Sequence, residues 1–231
     1  RLKERSNSEV SILAEMAIKA AKVAIKQSGI ISSDIDAVIC GCSNLQRAYP
    51  AVAIEVQKEL GISGYAYDMN VACSSATFSI QNAYNDIQSG LADKVLVVNP
   101  EICSGHLNFK DRDAHFIFGD AATAVILEKD SKSQSGFTIL GTSLKTQFSN
   151  NIRNNFGFLN LPENSDPKSP DKLFIQKGRS VFKEVVPMVQ AHIASHLDKL
   201  NIAIQEVKRL WLHQANLSMN QLIAKKLLGR D

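Results

Sequence analysis

Cys73 and His213 are the two side chains whose placement suits a nucleophile and a base. Cys73 falls between residues 65–70, which read as a short strand, and residues 74–89, which read as a helix. Ala76, Ile80, Ala83, Tyr84 and Ile87 lie near helical spacing there, and Gly90 supplies the stop. The free N–H groups and the positive dipole end of a helix start favour a thiolate, the reactive form of cysteine. A cysteine so placed can equally be an inert core residue, and position alone does not decide. His213 ends an apolar strand over residues 210–212 and opens a loop. Strand ends are where sites collect in α/β sheets, and a thiolate with an imidazole supplies the parts of a nucleophile–base pair.

Metal chemistry finds less support. His192 and His196 stand four apart on a helical stretch with no Cys or carboxylate at ligand spacing, so they read as a half-exposed helix face. His106 and His115 have nothing to single them out. Cys40 and Cys42 share one face of a strand, are poorly placed to bridge each other, and have no further ligand at a recognisable spacing. They read as strand residues, and no metal is expected.

The elements that must position Cys73 and His213 alternate in type. Residues 8–28 form an amphipathic helix with Val10, Leu13, Ala14, Ala17, Ala20, Ala21, Ala24 and Ile25 on one stripe and Gly29 at the end. Residues 36–42 read as a strand buried on both faces, residues 50–60 as a helix opened by Pro50 and closed by Gly61, and residues 94–99 and 121–127 as further strands. This alternation predicts an α/β sheet covered by helices. Beyond it, 137–148 reads as a strand and 150–170 as a long polar loop. Residues 177–200 form a helix in which Pro187 predicts a kink or break, and 217–228 a helix stopped by Gly229.

Bulk composition is that of an ordinary globular chain. Its 231 residues are 45% hydrophobic and 21% charged. A net charge of +3 is too small to argue for nucleic acid, and no apolar run of eighteen residues predicts a membrane span. Four cysteines do not make a disulfide framework in a chain of this size, which points to a reducing cytoplasm. The charged opening lacks an initiator Met and a signal-peptide pattern, so the chain reads as a piece of something longer.

A repeat lies within this order. Asn44 and Asn216 are 172 residues apart (216 − 44 = 172), and at that offset Val38 meets Leu210, Ile35 meets Val207 and Ile30 meets Ile202. Both blocks run helix, strand, polar turn ending in Asn, helix, Leu-Gly. Chance similarity between α/β units is the rival to duplication. On the duplication reading, residues 61–130 have a counterpart after Asp231, so roughly 70 or more residues are expected beyond it.

Three motifs together resemble one family. Asn70-Val71-Ala72-Cys73-Ser74-Ser75, Phe118-Gly119-Asp120-Ala121-Ala122-Thr123-Ala124 and His213-Gln214-Ala215-Asn216 look like the signatures of β-ketoacyl–acyl-carrier-protein synthase III, within the thiolase-like condensing enzymes. Weaker likeness runs from Leu2-Lys3-Glu4-Arg5 to Ala224-Lys225-Lys226-Leu227. The resemblance implies an α/β, thiolase-like, duplicated αβαβα sandwich, incomplete at both ends here. Residues 1–135 would be the half carrying the nucleophile and 136–231 the first part of the half carrying the histidine.

The same resemblance implies a decarboxylative Claisen condensation. Cys73 would take an acyl group from acyl-CoA. His213, with an Asn from a later segment, would stabilise the carbanion formed when malonyl–acyl carrier protein loses carbon dioxide. That demands a neutral imidazole and donors aimed at developing oxyanions. Arg112 matches a position near CoA, Tyr49 an aromatic that bounds the partner's acyl pocket across a homodimer, and Asn216 a substrate-side position. Gln214, Ser218, Lys183, Lys225 and Lys226 surround the mouth where acidic carrier protein docks. Ser218 stands where many members carry an Arg. No cofactor is implied, since acyl-CoA and the carrier protein are substrates. Asn154-Asn155-Phe156-Gly157-Phe158-Leu159-Asn160 faintly resembles the branch primed by medium-chain acyl-CoA, with a β-ketodecanoyl product. The alternatives are another thiolase-fold activity (3-hydroxy-3-methylglutaryl-CoA synthase, or a polyketide or quinolone condensing enzyme), a non-catalytic partner subunit, and a Cys-His hydrolase.

Overall fold

Ala37-Val38-Ile39-Cys40-Gly41 carries no charge, and all five residues are buried as strand β1 (Ala37–Gly41). The computed structural model that shows this describes residues 5–133, 136–155, 166, 169 and 172–229. The chain divides into two compact units, one of residues 1–105 and 119–138, the other of residues 106–118 and 139–231.

In the first unit β1 lies between β2 (Tyr65–Met69) and β3 (Lys94–Ile102), parallel to both, and β4 (Asp120–Glu128) runs antiparallel on the far side of β3. With helices packed on β1 as well as a parallel neighbour on each edge, it has no solvent face, which explains its unbroken apolar run. Helix α1 (Ile12–Ser28) and helix α2 (Val52–Leu60) join the core of Leu13, Ala17, Val38, Cys40, Cys42, Val56, Leu96 and Val98. Helix α3 (Ser75–Gln88) packs against β1 and β3 through another set, of which Ser75, Ser79, Ala83 and Ile87 are buried.

Caps tie these elements together. Ser11 Oγ accepts from Ala14 N at the start of α1, and the buried Glu55 carboxylate of α2 accepts from Ser11 N (3.0 Å) and Ser11 Oγ (2.6 Å). The carboxylate of Asp68 accepts from Val52 N and Ala53 N, both at 2.8 Å, which satisfies two orphan donors of α2 from the neighbouring strand.

The second unit contains α4 (Gly178–Lys199), α5 (Leu217–Leu228) and a short antiparallel ribbon of β5 (Ile152–Arg153) with β6 (Ile175–Gln176). Leu107, Ala114 and Phe174 form its small buried cluster, with Phe118 edge-on to Phe174 at 4.7 Å.

Several expectations are corrected. Residues 137–148 have no strand pairing, and Phe137 and Phe148 are 93% and 91% exposed. Residues 210–212 are likewise without a ladder among the described residues, so His213 does not follow a sheet strand. α4 runs unbroken through Pro187, which removes one N–H from the helix without ending it. β5 (Ile152–Arg153) falls near the start of the segment 150–170 expected to be a loop, and its partner β6 (Ile175–Gln176) lies just beyond it. The motif of residues 154–160 lies outside the described residues from Phe156 onward.

The repeat gains a structural counterpart. The 3₁₀ turn Ser32–Asp34 precedes β1, and the 3₁₀ turn Ile204–Glu206 follows α4 at the same offset (204 − 32 = 172).

Candidate active site

Cys73 sits in a 3₁₀ turn, Ala72–Ser74, between β2 and α3. Three side-chain bonds fix this turn. Asn70 Oδ1 accepts from Ala72 N (3.0 Å), Ser75 Oγ accepts from Val71 N (2.9 Å), and the Ser75 hydroxyl donates to Ala72 O (2.7 Å). Ala72 adopts a left-handed backbone, φ 47°, which costs an L-residue about 1–2 kcal/mol and persists only where the surroundings demand it. The result is a sharp corner that presents Cys73 to solvent while its successor enters the helix.

Gly41 permits the approach of α3 to the sheet. A Cβ there would lie 2.4 Å from Asn99 Nδ2, 2.9 Å from Ser79 Oγ and 3.0 Å from the Ser75 carbonyl carbon. Asn99 Nδ2 instead donates to Gly41 O at 3.1 Å. Glycine at this point of β1 therefore sets how closely the helix behind Cys73 approaches the central strand.

A polar cluster forms where β1 and β3 end. Glu101 Oε1 accepts from Ser43 N (2.6 Å) and Ser43 Oγ (2.7 Å), and Glu101 Oε2 accepts from Asn44 Nδ2 (2.7 Å). Asn44 Nδ2 also reaches Cys103 Sγ at 3.4 Å. The carboxylate leaves its mark on both neighbouring thiols. Desolvation and then Glu101, Asp120 and Cys73 push the Cys103 thiol up to about 11. Desolvation, with a smaller push from Glu101, also raises the Cys73 thiol above the ordinary value, while the residue's own backbone N–H works in the opposite direction. This corrects the expectation of a thiolate favoured by the helix start: the N–H contribution is present, but protein mass around the sulfur outweighs it.

His213 belongs to the second unit and is exposed just before α5. Its carbonyl accepts from Asn220 Nδ2 (3.0 Å), and Asn216 Oδ1 caps α5 by accepting from Met219 N (2.9 Å). Gln214, Asn216 and Ser218 are exposed around the same helix start, and Lys225 and Lys226 lie in its last turn, also exposed. Lys183 is exposed on α4. Arg112 is exposed within residues 106–118. Tyr49 is 84% exposed in the loop between β1 and α2. His192 Nε2 bonds Ser143 O at 3.1 Å, and no group of three metal-ligating side chains among the described residues includes His192 or His196.

Glu101 and Cys103 were not singled out as site residues because β3 runs past Pro100 to Ile102, beyond the expected end of the strand at Asn99. The signal available was Asn44, which the repeat marked without saying what it touches.

These features can be set beside known proteins. Residues 67–147, which hold the Cys73 corner and the Phe118–Ala124 motif, match the family described as 3-oxoacyl-[acyl-carrier-protein (ACP)] synthase III. The chain is 63% identical over its whole length to the β-ketodecanoyl-[acyl-carrier-protein] synthase of Pseudomonas aeruginosa strain PAO1, and covers 66% of that protein. It is 31% identical over 95% of its length to the β-ketoacyl-[acyl-carrier-protein] synthase III of Roseobacter denitrificans, covering 67% of it. The crystal structure of 3-oxoacyl-[acyl-carrier-protein] synthase III from Aquifex aeolicus superposes with a TM-score of 0.82 at 27% identity, over 98% of this chain and 69% of that one. The chain thus spans about two thirds of the length of these relatives. On the identity and coverage of these relatives and the structural superposition, the chain belongs to the β-ketoacyl-[acyl-carrier-protein] synthase III family of thiolase-like proteins.

Proposed function

We propose that the protein condenses an acyl-CoA primer with malonyl–acyl carrier protein in fatty acid synthesis. The observation that carries this reading is the 63% identity to a β-ketodecanoyl synthase, extending through a corner built to expose one cysteine. In the first half-reaction the Cys73 sulfur attacks the acyl-CoA carbonyl, its proton leaves with CoA thiolate as free CoA, and an acyl-Cys73 thioester remains. In the second, malonyl–carrier protein loses carbon dioxide. Its carbanion attacks the thioester carbonyl, the carbon–sulfur bond to Cys73 breaks, the Cys73 thiolate takes a proton from solvent, and β-ketoacyl–carrier protein departs.

In this reading Cys73 is the nucleophile, and its backbone N–H contributes to the oxyanion hole of the first step. His213 donates to the enolate oxygen of the second as a neutral imidazole. Arg112 and Asn216 hold CoA, Tyr49 bounds the acyl pocket of the partner in a homodimer, and Gln214, Ser218, Lys183, Lys225 and Lys226 receive the acidic carrier protein. No helix among the described residues is long and apolar enough to cross a membrane. On this reading the protein acts in the cytoplasm on acyl-CoA and carrier protein, with no further cofactor. A β-ketodecanoyl product has ten carbons, two of them from malonyl after decarboxylation. The primer is then an eight-carbon acyl-CoA.

Intact-mass spectrometry after exposure to acyl-CoA primers of graded length tests the proposal. The expected result is one added acyl group, greatest for octanoyl-CoA, lost in Cys73→Ser. No covalent adduct with any primer, or an adduct that survives Cys73→Ser, overturns it. Release of free acid without malonyl–carrier protein identifies a hydrolase instead.

A further inference from the structure

Cys40 and Cys42 lie on the same face of the sheet, on the side covered by α1 and α2, with their sulfurs 3.6 Å apart. Cys40 is paired in register with Asp68 of β2, and Cys42 N donates to Met69 O, so the two strand ends are locked side by side. One ligand atom from each of Cys40, Cys42 and Asp68 falls within 4.8 Å of the others. The third group comes from a neighbouring strand, which is why no sequence spacing announces it. We infer that Cys40, Cys42 and Asp68 form a binding site for a thiophilic d10 divalent cation of the zinc and cadmium class.

Geometry supports this class. Two thiolates bound to a tetrahedral zinc at about 2.3 Å are about 3.8 Å apart, so the observed pair needs almost no movement. Zinc accepts mixed sulfur and carboxylate ligands. Both sulfurs are buried, whereas Asp68 is half-buried and gives the ion its route inward.

Charge supports it too. Two thiolates and a carboxylate overcompensate a dication, but the Asp68 carboxylate already faces the N–H groups of Val52 and Ala53 at the positive end of α2. Both thiols lie buried in the apolar core that α1 and α2 join. Coordination is the condition under which such thiols ionise. A bound ion would clamp β1 to β2 just before the turn that carries Cys73.

The test uses the full chain with Cys73 and Cys103 changed to Ser, which leaves Cys40 and Cys42 as its only thiols. Titration with Cd²⁺ is expected to give a thiolate-to-cadmium charge-transfer band saturating at one ion per chain, with a rise in melting temperature. X-ray absorption of the Zn²⁺-loaded protein is expected to show two sulfur neighbours with oxygen completing the shell. That measurement does not depend on altering the core. Cys40→Ser and Cys42→Ser each reduce the band, and Asp68→Asn, which replaces an anionic ligand with a neutral amide, weakens affinity on the order of tenfold or more. Absence of the band, fewer than two sulfur neighbours, or a band that survives Cys40→Ser with Cys42→Ser overturns the inference.

Discussion

Asn44 holds the Glu101 carboxylate with a 2.7 Å hydrogen bond and, through the same nitrogen, reaches the Cys103 sulfur at 3.4 Å. One amide therefore connects the loop after β1 to the end of β3, beside the negative charge that Cys73 also feels. Glu101→Gln removes that charge. The Cys73 thiol then moves down toward its ordinary value, and its alkylation by iodoacetamide at fixed near-neutral pH is expected to quicken. The replacement amide also faces the Asn44 donor, so stability should fall by about 1 kcal/mol in urea unfolding. An unchanged alkylation rate would show that desolvation alone sets the thiol.

Cys103 makes stability depend on alkaline pH. Its folded thiol is raised to about 11 from 9.0, so the folded state prefers the neutral form. That preference is fully present below the unfolded value and is lost as pH rises through the folded one. The unmodified chain should lose stability relative to Cys103→Ser between about pH 9 and about pH 11, and the two should run parallel below that window. Urea midpoints across the range check the sign.

Gly41→Ala places a methyl 2.4 Å from Asn99 Nδ2 and 3.0 Å from the Ser75 backbone. Overpacking of this kind costs about 1–3 kcal/mol. Because α3 must move to admit the methyl, the variant should load acyl groups on Cys73 more slowly even at temperatures where it stays folded. Intact mass against time gives the loading rate, and circular dichroism confirms the fold.

Asn216 caps α5. Asn216→Ala should lower stability by about 1 kcal/mol, a shift of roughly 2–4 °C in a chain of this length. Asn216→Asp keeps the acceptor and should keep the melting temperature. A CoA-binding role for the amide predicts weaker acyl-CoA binding in the Asp variant despite its intact helix. Calorimetric titration separates the two.

Much of this fold was legible locally. Residues 217–228 were expected as a helix, and α5 spans Leu217–Leu228, because periodicity, an Asn cap and a Gly stop agree there. The core strands showed as short uncharged runs. The failures share a cause: residues 137–148 and 210–212 have strand-like composition, but a strand exists only with a neighbour, and that information is not local. The site divides the same way. The corner at Cys73 was readable from a strand meeting a helix, whereas Glu101 and Asp68 reach their neighbours across strands far apart in sequence. The helix start at Cys73 is visible in the motif, whereas Glu101, which adds to the upward push on its thiol, comes from another strand.

The left-handed backbone of Ala72 has a consequence for variation at the residue before the nucleophile. Only glycine would sit there without steric penalty, and asparagine with little; a β-branched replacement would be driven from the corner and would turn Cys73 with it. Substitutions at position 72 should therefore divide by backbone tolerance rather than by polarity, so that a conservative Ala→Val exchange does more harm than the chemically bolder Ala→Asn.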